Sequence, residues 1–141
     1  MEAAKPRILC LDDRPDSLRV RKFLLEQFGC EVVVVTSSSA CLHLVAQEPF
    51  DLALLDYHLA EETTGEDVAR DIRMLNPGMP LVMLTGDPKI PQSAKECVDR
   101  VLIKGAGSPA DLLDTIEQLL PWSRIKPRRH SIVPTPVSRS S

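Results

Sequence analysis

The chain has 141 residues, 43% of them hydrophobic and 26% charged, with a mean hydropathy of −0.06. That length suits one domain, and the composition is that of an ordinary globular protein, which excludes a disordered, collagen-like or membrane-spanning chain. Charge is uneven: the first 120 residues carry 12 basic and 20 acidic side chains, and the last 21 carry five basic and none acidic, so an acidic body argues against nucleic acid as the main partner.

Met1–Arg7 is polar and lacks the apolar core of a signal peptide. No apolar run approaches the ~18 residues of a membrane span, so the cytoplasm is the expected compartment and no membrane contact is expected. Ile8-Leu9-Cys10-Leu11 reads as a strand buried on both faces and ends in Asp12-Asp13. Pro15 suits an early helix position. Val20, Leu24 and Phe28, flanked by Leu25, predict the apolar face of that helix, and Gly29 its stop. Glu31–Thr36 holds four consecutive valines, which is strand chemistry. Ser37-Ser38-Ser39 offers N-caps for a helix through about Gln47, with Cys41, Leu42 and Val45 on one face and His43 off it.

After the break at Pro49-Phe50, Asp51–Leu55 predicts a third buried strand ending at Asp56. A polar loop through Glu61, Glu62 and Gly65 leads to a helix marked by Val68, Ala69, Ile72 and Leu75 and closed by Asn76-Pro77-Gly78. Leu81–Leu84 is a fourth strand ending at Thr85, and a short helix is predicted from Pro91 to Val98. Val101–Ile103 is a fifth strand ending at Lys104. Ser108-Pro109-Ala110-Asp111 is a strong helix start, with an N-cap, proline at the first position and an acid at the third. Leu112, Leu113, Ile116, Leu119 and Leu120 continue it at helical spacing.

Five repeats of strand then helix predict an α/β fold over residues 1–120, with a parallel sheet covered on both faces and right-handed crossovers. Residues 121–141 interleave four prolines with five serines and five basic residues, and predict a flexible, solvated tail opened by Trp122. Cys10, Cys30, Cys41 and Cys97 form no C-x-x-C pair and read as small buried hydrophobes rather than disulfides or a zinc site.

In an open parallel sheet, ligands bind outside the carboxyl ends of the strands. Four of the five predicted strands end there in a polar residue: Asp12-Asp13, Asp56, Thr85 and Lys104. Three neighbouring carboxylates repel by about 4 kcal/mol per pair at 4 Å and an effective dielectric of 20. Either some take up protons or a cation sits among them. Hard oxygen ligands suit Mg²⁺. A metal, a lysine and a hydroxyl around one carboxylate are what phosphoryl transfer to that carboxylate requires.

Leu11-Asp12-Asp13, Leu54-Leu55-Asp56, Met83-Leu84-Thr85-Gly86 and Ile103-Lys104 occur in the order and near the spacing of a known family. Over roughly residues 6–120 the chain resembles a receiver domain of the two-component response regulators. The resemblance implies a doubly wound, flavodoxin-like (βα)5 fold with strand order 2-1-3-4-5. It implies that Asp56 accepts a phosphoryl group from a phosphohistidine on a histidine kinase or phosphotransfer protein. It implies that Asp13, Asp56 and the His58 backbone carbonyl bind Mg²⁺ directly and that Asp12 helps through water. Thr85 would swing to bond a phosphoryl oxygen, and Lys104 would pair with Asp56 and then with the phosphoryl group. The output would be a switched surface on the fourth helix, fifth strand and fifth helix that changes affinity for a downstream protein. Apart from its own phosphorylation and dephosphorylation, no catalysis is implied; a homodimer through the last helices is left open.

The chain departs from the family's pattern at several positions. Gly105 stands where a proline usually follows the lysine, and Val101 where an aromatic usually precedes it. Gly65 lies nine residues after Asp56, one more than in many receivers, and Ala60 replaces a proline common in that loop. His58 and Asp87 occupy variable positions two residues after Asp56 and Thr85, where they would tune the lifetime of the phosphoryl group. Tyr57 reads as packing at the strand end. The 21 residues after Leu120 are too few for a DNA-binding domain, so a stand-alone receiver is expected, without direct DNA binding. Two alternatives remain: a pseudo-receiver acting as a constitutive interaction module, and an aspartyl-nucleophile phosphatase. The phosphatase reading is weakened because Asp12 and Asp13 are adjacent rather than in a D-x-D motif.

Overall fold

Strand β1 (Arg7–Leu11) is followed by α1 (Pro15–Gln27), β2 (Glu31–Val35), α2 (Ser38–Gln47), β3 (Leu52–Asp56) and α3 (Gly65–Leu75). Strand β4 (Leu81–Thr85), α4 (Gln92–Glu96), β5 (Arg100–Ile103) and α5 (Pro109–Leu119) complete the alternation. This computed structural model describes residues 5–105 and 109–120. Ser108, Trp122 and the tail at 121–141 lie outside the described residues. No helix among the described residues is long and apolar enough to cross a membrane.

The five strands form one parallel sheet in the order β2-β1-β3-β4-β5. Successive strand residues point to opposite faces, so each central strand feeds two cores. Ile8, Cys10, Leu52, Leu54, Val82 and Leu84 meet α1 and α5 on one face. Leu9, Leu11, Ala53, Leu55, Leu81 and Met83 meet α2, α3 and α4 on the other. Burial on both faces explains why β3 and β4 read as unbroken apolar runs.

The helix ends follow local chemistry. Pro15 opens α1, and Gly29 leaves it at φ +100°, a left-handed angle that glycine adopts without penalty. The Ser37 hydroxyl accepts the Ala40 amide at 3.2 Å to cap α2. Thr64 and Asp67 form a reciprocal capping box at the start of α3.

Three expectations need correction. In α1, Val20 is 70% exposed and leaves the predicted face, whereas Leu24, Leu25 and Phe28 pack on the core as expected and are joined by Leu18, with Arg21 half-buried beside them. Leu75 is exposed at the end of α3. Helix α4 is only Gln92–Glu96, because Pro91 serves as its N-cap and the chain leaves helical pairing at Cys97. Cys10, Cys30 and Cys41 are free and buried; burial pushes Cys10 and Cys41 up to about 12 and Cys30 to about 11, which keeps them as inert thiols.

Candidate functional site

Parallel pairing brings the ends of β1, β3, β4 and β5 together at one edge of the sheet. Asp12 and Asp13 follow β1, Asp56 ends β3, Thr85 ends β4, and Lys104 follows β5. Asp12 and Asp56 are buried, and Asp13 is half-buried. Asp12, Asp13 and Asp56 each offer a carboxylate oxygen within 4.8 Å of the others. The Lys104 ammonium reaches Asp56 Oδ1 at 2.9 Å and Asp12 Oδ2 at 3.1 Å. The Lys104 amide donates to the Thr85 carbonyl at 2.7 Å, which fixes where the lysine leaves the sheet.

The two buried aspartates have different surroundings. Burial pushes the Asp12 carboxyl up, but the Arg14 amide, Lys104 and Arg21 outweigh it and hold the group below the ordinary carboxylate value. The Arg14 amide donates to Asp12 Oδ1 at 2.9 Å. At Asp56, burial wins: despite the Lys104 hydrogen bond, desolvation and the charges of Asp12 and Asp13 raise the group. Three hard oxygen donors this close are a donor set for a divalent cation such as Mg²⁺.

Thr85 is fully buried, and its hydroxyl is held in its own loop. It donates to the Asp87 carbonyl at 3.2 Å and accepts the Asp87 amide at 3.0 Å. The Asp87 carboxylate accepts the Lys89 amide at 2.8 Å, which stiffens that turn. His58 is exposed, with its ring edge-on to Tyr57 at 4.8 Å. Tyr57 is partly buried and packs on the core at the strand end, as its position suggested. Gly105 adopts φ +77°, a left-handed angle that suits glycine immediately after the lysine. Beside Lys104, a groove of about 710 Å³ opens between α1, β5 and α5, with Arg21, Leu24, Leu84, Val101 and Leu112 on its walls.

Two residues with structural roles, one of them at the site, were not singled out from the sequence. Arg21 of α1 places its guanidinium 3.4 Å from Asp12 Oδ2. The signal was available, because Arg21 falls three residues after Leu18 and four before Leu25, on the buried stripe. Glu61, in the loop after β3, accepts the Ser38 hydroxyl at 2.7 Å and the Ser38 amide at 3.1 Å, tying that loop to the start of α2. No local pattern pointed to that contact.

The family model for the response regulator receiver domain matches residues 8–117. The chain belongs to the response regulator receiver domain family. The sensor protein GacS of Pseudomonas syringae pv. syringae is 35% identical over 89 residues, covering 60% of this chain and 10% of that protein. The transcriptional regulatory protein ZraR of Salmonella typhimurium is 28% identical over 127 residues, covering 88% of this chain and 28% of that protein. This receiver therefore spans only a small part of the curated relatives it matches. Among solved structures, a CheY-like receiver domain protein from Methanospirillum hungatei JF-1 is 29% identical with a TM-score of 0.74, covering 82% of this chain and 93% of that one. The response regulator TrrA from Thermotoga maritima, solved with Mg²⁺ and BeF, shares the fold with a TM-score of 0.77 at 23% identity, covering 82% of this chain and 99% of that one.

Proposed function

We propose that this receiver takes a phosphoryl group onto Asp56 from a phosphohistidine of a histidine kinase or phosphotransfer protein, in a Mg²⁺-dependent step. The observation that carries this reading is the cluster of Asp12, Asp13 and Asp56 facing Lys104 at the sheet's carboxyl edge. Asp13, Asp56 and the His58 carbonyl would hold the metal, with Asp12 behind them through water. Bound Mg²⁺ supplies positive charge to the phosphoryl oxygens and lowers the repulsion among the carboxylates. An Asp56 oxygen forms the new bond to phosphorus as the phosphorus–nitrogen bond breaks, and the imidazole nitrogen keeps the electron pair. Lys104, already 2.9 Å from Asp56, follows the charge onto the phosphoryl group. Thr85 leaves the Asp87 backbone to donate to a phosphoryl oxygen. His58 and Asp87 flank the route of the water that later hydrolyses the acyl phosphate.

The added charge of about −1.5 to −2 biases the surface of α4, β5 and α5 toward a downstream protein. The reading takes residues 1–120 as the receiver, 121–141 as a separate tail, and the cytoplasm as the compartment. The test is acetyl phosphate with and without Mg²⁺, read by intact mass, with Asp56→Asn as control. A Mg²⁺-dependent gain of one phosphoryl group that the variant lacks is the expected result. No gain under any donor would favour a constitutive interaction module.

A further inference from the structure

Arg21 sits on a helix stripe whose other members, Leu18, Leu25 and Phe28, are buried apolar side chains. Its side chain is only 11% exposed. A guanidinium this far from water needs a partner, or its desolvation goes uncompensated. That partner is Asp12, whose Oδ2 lies 3.4 Å from both terminal guanidinium nitrogens. The same oxygen takes Lys104 at 3.1 Å, and Oδ1 takes the Arg14 amide at 2.9 Å. Both oxygens of Asp12 are therefore already engaged by protein donors. Three carboxylates face two cations, Lys104 and Arg21, so the cluster carries a formal −1 where it would carry −2 without Arg21.

We propose that Arg21 is a positioning residue that holds Asp12 from the α1 side and weakens the cluster's grip on a divalent cation. The inference rests on the reading that Asp12, Asp13 and Asp56 bind Mg²⁺. Divalent affinity in carboxylate sites is tuned by ligand charge, and a guanidinium keeps its charge across the whole accessible pH range. Arg21 therefore subtracts from the negative charge available to the metal at every pH. It also lets Asp12 stay ionised and buried when no metal is bound. The result is a weak, readily exchanged site rather than a permanently loaded one.

The test is calorimetric titration of MgCl₂ into the full chain at fixed ionic strength, with wild type, Arg21→Met, Arg21→Gln and Arg21→Lys. Both neutral variants are expected to bind Mg²⁺ about tenfold tighter, because affinity in carboxylate sites rises with the net negative charge of the ligand set. Arg21→Lys keeps a cation beside Asp12 and should bind Mg²⁺ more weakly than either neutral variant does. A second readout separates this from a packing role: the rise in melting temperature on adding Mg²⁺ should be larger in the neutral variants than in wild type. A purely structural arginine would lower the loaded and unloaded forms alike. Should Arg21→Met fail to fold, Arg21→Gln carries the same comparison. Wild-type binding with unchanged or weaker affinity in the neutral variants overturns the role of Arg21 alone. No Mg²⁺ binding by wild type overturns the metal site itself, and the inference with it.

Discussion

Gly65 opens α3 directly against the end of the strand that carries Asp56. A β-carbon there would lie 2.4 Å from the Asp56 carbonyl oxygen and 2.9 Å from both Tyr57 Cα and Met83 Sδ. The sulfur can rotate away, but the two backbone atoms move only if the end of β3 moves. The Gly65 amide also donates to the Tyr57 carbonyl at 2.9 Å, so helix and strand are tied at the point of closest approach. Overpacking of this kind costs about 1–3 kcal/mol, and weakening that hydrogen bond adds about 1 kcal/mol. The helical preference of alanine returns about 1 kcal/mol at most. Gly65→Ala should therefore lose about 1–3 kcal/mol. Gly78 is the control, since a β-carbon there meets nothing within 4 Å, and Gly78→Ala should stay within about 0.5 kcal/mol of wild type. With a urea slope of about 1–3 kcal/mol per molar, the midpoint for Gly65→Ala should fall by about 1 M while that for Gly78→Ala holds. Equal midpoints for the two variants would refute the argument, because they would mean that the strand end yields freely.

Other substitutions probe the same arrangement. Asp56→Asn should raise the melting temperature at pH 7 without Mg²⁺. The Asp56 carboxyl is raised in the folded state, so its ionised form costs stability above that value, and the gain should vanish as pH falls to about 4. Asp12→Asn should do the reverse: Asp12 is held low, so it contributes stability at neutral pH that is lost only as pH falls through its folded value. Matching shifts of the same sign in both variants would contradict the different surroundings of the two groups. Asp99→Ala removes an oxygen that accepts the Leu81 amide at 2.8 Å and Arg73 at 3.0 Å, and should cost about 1–3 kcal/mol in urea unfolding. Glu61→Ala should speed amide exchange at Ser38 with a global loss below about 1 kcal/mol, because both of its contacts are exposed; unchanged exchange would count against the tether.

The alternation of strand and helix was legible because the central strands had to be apolar on both faces and the helix starts carried local signals, Pro15 for α1 and Ser37 for α2. The candidate site was legible for a topological reason: parallel strands deliver their last residues to one edge, so Asp12, Asp56, Thr85 and Lys104 converge without any detail of packing. What stayed hidden depends on contacts that no local periodicity shows. Arg21 looks like a surface residue by composition, and its contact with Asp12, nine positions back and outside α1, makes its burial tolerable. Val20 reads as a core residue by its apolar side chain, yet it is 70% exposed while Leu24, Leu25 and Phe28 pack inward. The hydrogen bonds of the Thr85 hydroxyl to the Asp87 backbone were not legible either, because they depend on the shape of the turn after β4.

The two buried aspartates divide the work through their partners. Asp12 has three donors, the Arg14 amide, Lys104 and Arg21, whereas Asp56 shares its one cation, Lys104, with Asp12. On the proposed reading, a phosphoryl group on Asp56 draws Lys104 away from Asp12. Asp12 is not orphaned by that movement, because Arg14 and Arg21 remain, so the lysine moves without leaving a buried charge unpaired. The hydroxyl of Thr85 must meanwhile give up two hydrogen bonds to Asp87. At about 0.5–1.5 kcal/mol each, that release costs about 1–3 kcal/mol, and the switched arrangement would be populated at about 1–15% before phosphorylation. A charge-assisted bond to a phosphoryl oxygen contributes about 1.5–3 kcal/mol, enough to offset the release. A single such bond therefore takes the domain to balance, and commitment to the switched state requires the added pull of Lys104 or of a partner on the surface of α4, β5 and α5.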